Sequence, residues 1–127
     1  MTGPPHALLL CDDLIFTSRI TGTARALGLT MRCAKTADVL LDFARQTPPR
    51  CVIIDVHAPG LAIDELVRDL CALKPKPFIV GYGSHVEAAT LKKARDAGCD
   101  IVWPRSKFAE ELETALPSWV KPAETKS

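Results

Sequence analysis

The sequence predicts an α/β protein: one domain built as a doubly wound parallel sheet of five strands alternating with five helices. Three observations lead there. Apolar residues come in short unbroken runs at 7–11, 51–54, 78–80 and 101–103, and runs without alternation suit strands covered on both faces. Between the runs lie stretches with apolar residues at helical spacing, closed by Gly or Pro. The runs at 7–11 and 51–54 each end in carboxylates, Asp12-Asp13 and Asp55. Open α/β sheets bind their ligands at that end of their strands.

The elements follow in order. Residues 1–6, with Gly3, Pro4 and Pro5, are expected to be a loose lead-in to a domain over 7–117. The first strand, 7–11, precedes a helix over 14–27 that turns Phe16, Ile20, Ala24 and Leu27 inward and stops at Gly28. Gly22 within it is expected to permit close packing on the sheet. A short strand at 29–34 leads to Thr36, a helix cap, and a helix presenting Val39, Leu40, Phe43 and Ala44 before Pro48-Pro49. The central strand is 51–55, and Pro59-Gly60 turns the chain away from it. A third helix spans 63–73, a fourth strand 78–80 opens into a loop at 81–85, and a fourth helix spans 86–97 before Gly98. The fifth strand, 101–103, precedes a last helix over 108–116, and residues 118–127 are expected to form a polar tail.

Composition narrows the partners. The chain has 127 residues, 47% hydrophobic and 24% charged, with a formal charge of +1. Neither nucleic acid nor an acidic membrane is expected as a partner, since both call for concentrated positive charge. No apolar run nears membrane-spanning length, and a cytoplasmic location is expected. Cys11, Cys33, Cys51, Cys71 and Cys99 show no short metal-ligand spacing and are odd in number. They read as free thiols in a reducing compartment.

In a flavodoxin-like strand order the first and third strands are neighbours. Asp12, Asp13 and Asp55 then share a small pocket, where bare carboxylates repel and at least one resists ionising. A hard divalent cation relieves this, and oxygen-only ligation suits weakly bound Mg²⁺. The simpler roles stand beside these. Asp12 or Asp13 can cap the first helix, Arg105 can neutralise the acids in a permanent salt bridge, and His57 and His85 can be loop residues without chemical duty.

The acidic pair Asp12-Asp13, Asp55 with Pro59 four residues on, and Ala97-Gly98 before the fifth strand resemble the receiver domains of two-component signalling, the CheY-like response-regulator family. The likeness covers nearly all of residues 7–117. It implies that Asp55 is a phosphoacceptor in a phosphorelay and that the His57 backbone carbonyl joins Asp12, Asp13 and Asp55 around the metal. Two positions depart from the family. Its switch Thr or Ser falls on Gly83, with Ser84 beside it, and its lysine falls on Arg105, with Lys107 nearby. Acceptance of phosphate stays chemically feasible while its structural readout is expected to be uncoupled, as in pseudo-receivers. The paired change Gly83→Thr with Arg105→Lys is expected to enlarge the response.

No output domain follows the last helix, so the expectation is a stand-alone, non-enzymatic receiver acting by protein–protein contact. Its partner would be a sensor kinase or a downstream signalling protein, and a homodimer is compatible with this reading. Tyr82, Lys92, Arg95 and Trp103 mark the contact face implied by the resemblance. The alternatives are a phosphorylation-independent adaptor, a flavodoxin-like cofactor-binding protein, or a hydrolase using Asp55. A phosphate-binding cofactor would want anion donors after the first strand, where Cys11-Asp12-Asp13 stands instead. A hydrolase of the Asp-x-Asp type lacks its second acid at position 57.

Overall fold

A computed structural model describes residues 5–121 of the chain. Five parallel strands, β1 (Ala7–Leu10), β2 (Met31–Ala34), β3 (Cys51–Asp55), β4 (Phe78–Gly83) and β5 (Ile101–Pro104), form one sheet in the order β2-β1-β3-β4-β5. The helices are α1 (Leu14–Ala26), α2 (Ala37–Gln46), α3 (Ile63–Cys71), α4 (Ala88–Ala97) and α5 (Arg105–Trp119).

The unbroken apolar runs have the cause inferred from them. Leu8, Leu10, Val52, Ile54 and Ile79 point to one face, where they meet Leu40, Ile63, Leu66, Leu70 and Leu91 of α2, α3 and α4. Leu9, Cys51, Ile53, Val80 and Tyr82 point to the other, against Ile20 and Ala24 of α1 and Phe108, Leu112 and Leu116 of α5. With a core on each face, no central strand position is left for a polar side chain until Asp55. At Gly98 the backbone reaches φ 119°, a left-handed conformation in which α4 ends.

Several boundaries differ from expectation. β4 runs on through Tyr82 to Gly83 because Tyr82 pairs in register with Asp55 of β3 and Trp103 of β5. α5 begins at Arg105 and continues past Pro117 to Trp119. Pro117 removes one helical hydrogen bond and crowds the carbonyl one turn earlier, a cost that the burial of Trp119 and Val120 in the α1/α5 core offsets. Residues 118–120 are therefore not part of a polar tail. Of the expected tail, 122–127 lie outside the described residues, as do 1–4 of the lead-in. His6 is tied down, its backbone N–H reaching the Thr30 carbonyl at 3.0 Å.

Gly22 does not serve close packing, because nothing stands within 4 Å of where a Cβ would lie. Gly22→Ala is therefore expected to stabilise the protein by about 0.5–1 kcal/mol, since alanine is the better helix former. Urea unfolding with an unchanged m-value checks this.

Candidate functional site: the carboxyl edge around Asp55

Asp55 ends β3 and is the one buried charged residue in the described chain, at 6% exposure. Its carboxylate Oδ1 accepts the His57 backbone N–H at 2.9 Å. The Val56 N–H goes to the Tyr82 carbonyl at 3.0 Å, so the chain stays bound to β4 for one residue beyond the strand.

The other two acids are exposed after β1. Asp13 is the N-cap of α1, its Oδ1 accepting the Ile15 and Phe16 backbone N–H groups at 3.0 and 3.1 Å. That is the structural role such a residue ordinarily has, and it satisfies two otherwise orphaned donors. Among the described residues no three His, Cys, Asp or Glu side chains stand close enough together to hold a metal ion. The carboxylates of Asp12, Asp13 and Asp55 are chemically suited to a hard cation, which also takes backbone carbonyls and waters as ligands.

His57 differs most from its expected place in an exposed loop. It is half-buried, and its ring crosses to the end of β4, where Nε2 accepts the Ser84 backbone N–H at 2.9 Å. The ring lies over Gly83. A Cβ at position 83 would stand 2.7 Å from His57 Nε2 and 2.6 Å from Val56 Cγ2. Real Cβ contacts are not that short, so Gly83 is glycine because two side chains from the β3 loop occupy its space. Ser84 Oγ in turn accepts the Val86 N–H at 3.3 Å, within its own loop.

The two basic candidates diverge. Arg105 opens α5 with its guanidinium 5.5 Å from the Phe16 ring centroid, and no carboxylate pairs with it among the described residues. It lines a groove of about 410 Å³ with Phe16, Arg19, Ser84, His85 and Ser106. The permanent salt bridge considered for it is not made. Lys107 turns the other way, its ammonium 5.0 Å from the Trp103 ring centroid.

Of the expected contact face, Lys92 and Arg95 are exposed on α4, with Lys92 paired to Asp96. Trp103 is half-buried against Trp119, ring centroids 5.6 Å apart. Tyr82 is fully buried and cannot touch a partner. It lies 4.6 Å from the Phe108 ring, and its hydroxyl donates to Cys11 Sγ at 3.2 Å. Burial, that hydrogen bond and the nearby Asp55 push its ionisation far above the ordinary range. Sequence reasoning missed the exposed apolar pair Leu14 (70%) and Ile15 (84%) at the rim beside Asp13. The signal was present, since both fall off the inward stripe of α1.

All five cysteines are free. Burial, with Asp100 and Cys71 adding to it, raises the Cys99 thiol from 9.0 to about 11. The folded protein thus holds this proton more tightly than the unfolded chain does. The stability it contributes is complete below pH 9 and is lost as pH rises through 11. A thiol reagent at pH 8 is expected to modify exposed Cys33 first and to reach buried Cys11, Cys51 and Cys99 only on unfolding. Mass spectrometry of labelled peptides reads the order.

No family model matches the chain. Among curated proteins it resembles the response regulator protein TodT of Pseudomonas putida, with 29% identity over 116 residues, covering 89% of this chain and 50% of TodT. The response regulator protein TmoT of Ectopseudomonas mendocina is 24% identical over 110 residues, covering 87% of this chain and 50% of TmoT. The chain thus spans about half the length of the curated relatives it matches. Among solved structures, the receiver domain of NtrX from Brucella abortus superposes with a TM-score of 0.77 at 20% identity, covering 90% of this chain and 97% of that one. A response regulator receiver protein from Burkholderia phymatum gives 0.75 at 23% identity, covering 91% and 94%. Strand order and these superpositions give the chain the CheY-like fold of receiver domains, and in sequence it resembles response regulators over the half of their length that it spans.

Proposed function

We propose that the chain is an atypical receiver in two-component signal transduction, with Asp55 as its phosphoacceptor and protein–protein contact as its output. The observation that carries the atypical reading is Gly83 beneath the His57 ring. The family's switch depends on a hydroxyl at that position, and Gly83 supplies none. A phosphoryl group shifts populations only by interacting better with one state than the other. One such state-specific hydrogen bond, worth about 1.5–3 kcal/mol to a charged group, is absent here. Phosphate and conformation are therefore uncoupled in this proposal.

Arg105 is the better candidate for the phosphoryl contact, since it directly follows β5 and lines the groove with Ser84 and Ser106. Magnesium enters the proposal with Asp12, Asp13, Asp55 and the His57 carbonyl as its holders; the Asp13 cap uses only Oδ1, which leaves Oδ2 for the metal. Calorimetry at millimolar Mg²⁺ should then show a weak heat that Asp12→Ala removes. The partner, a sensor kinase or downstream signalling protein, meets the exposed face of α4 and α5 around Lys92, Arg95 and Trp103. A cytoplasmic setting, which five unpaired thiols support, is part of the same proposal.

The test is intact mass after incubation with Mg²⁺ and a small phosphodonor such as acetyl phosphate. Attack by an Asp55 carboxylate oxygen on phosphorus expels acetate and leaves one acyl phosphate. Wild type should gain the mass of one phosphoryl group and Asp55→Asn none. No gain in wild type, with partner capture intact, selects the phosphorylation-independent adaptor instead.

A further inference from the structure

We infer that His57 is a positioning residue: a strut that fixes the β4–α4 loop to the β3 loop and occupies the side-chain space that Gly83 leaves open. The inference deepens the receiver reading, and only its last experimental arm rests on that reading.

Both ends of the strut are defined. At one end, the His57 backbone N–H is held by Asp55 Oδ1 at 2.9 Å. At the other, Nε2 accepts the Ser84 N–H at 2.9 Å. A ring nitrogen that accepts carries no proton, so the neutral imidazole is the tautomer protonated on Nδ1. Ser84 is half-buried, and its N–H has no place in the strand ladder, which ends at Gly83. Without the imidazole this donor would lose its partner. Between the two ends the ring and Val56 Cγ2 fill the volume over Gly83. One residue therefore joins the two edges, its backbone N–H bound to the carboxylate of Asp55 and its imidazole bound to the first residue of the β4–α4 loop. The two positions are mutually dependent: glycine at 83 admits the ring, and the ring excludes any larger residue there.

The experiment uses the full chain with His57→Ala, Gly83→Ala and the double variant. Hydrogen exchange of the Ser84 amide should quicken roughly five- to tenfold in His57→Ala, the value of one ordinary hydrogen bond, while β1 and β3 amides keep their rates. Added imidazole, small enough for the vacated space, should restore protection. Gly83→Ala should lower the melting temperature, and His57→Ala in the same chain should recover about half of that loss, Val56 accounting for the rest. Unchanged Ser84 exchange in His57→Ala, or a Gly83→Ala loss of equal size in both backgrounds, overturns the strut. Beryllofluoride added to each variant then tests the reading beneath it. If the exchange and melting results hold but in no variant, nor in wild type, does beryllofluoride shift even the amides beside Asp55, the strut stands and Asp55 as phosphoacceptor falls. If the amide spectrum responds while Ser84 exchange is unmoved by His57→Ala, the acceptor stands and the strut falls.

Discussion

Gly83→Thr is expected to destabilise the protein by about 1–3 kcal/mol, the usual range for forcing extra atoms into a packed site. The first added atom already meets Val56 Cγ2 at 2.6 Å and His57 Nε2 at 2.7 Å, and the hydroxyl and methyl need more room still. Gly83 is buried, and Val56 is held between the β3 and β4 ends, so the neighbours have little freedom to yield. This reverses the expectation drawn from the resemblance. There, Gly83→Thr with Arg105→Lys looked like a restoration of the switch. In the structure it installs a hydroxyl where an imidazole already lies, so the beryllofluoride response should not grow. Urea midpoints measure the first effect and amide spectra the second. A variant as stable as wild type and with an enlarged response would show that the His57 ring readily vacates the site.

Trp119→Ala is expected to cost about 3–5 kcal/mol, as truncation of a buried aromatic does. Trp119 is 6% exposed and closes an aromatic cluster, with ring centroids 5.6 Å from Trp103, 6.1 Å from Phe108 and 6.5 Å from Phe78. Through Phe108 the cluster reaches Tyr82 and Phe16, so it links the end of α5 to the carboxyl edge of the sheet. Ending the chain at residue 117, the expected domain limit, should cost as much, because the same ring is removed. Trp103→Ala should cost less, since Trp103 is already half in solvent. Thermal unfolding of the three variants gives the comparison. A loss under about 1 kcal/mol for Trp119→Ala would mean that the last turn of α5 does not dock.

What the sequence determined by itself was the architecture. Unbroken apolar runs can be satisfied only by strands covered on both faces, and helical spacing between them supplies the covers. The same reasoning located Asp55, because a lone acid at the end of such a run has nowhere else to lie. Local chemistry was equally readable where a residue acts on its chain neighbours, as with Asp13 over the first turn of α1 and Thr36 before α2. Tertiary structure decided what depended on distant partners. Pro117 is a local stop signal, and only the buried cluster around Trp119 explains why α5 continues through it. Tyr82 read as part of the loop after the fourth strand and, by resemblance, of the contact face, yet pairing with both β3 and β5 draws it into the strand and its ring into the core. Gly83 read as a missing hydroxyl because sequence shows which side chain is absent, not what fills its place. The filler, His57, lies 26 positions earlier in the chain, and only the parallel pairing of β3 with β4 brings the two together.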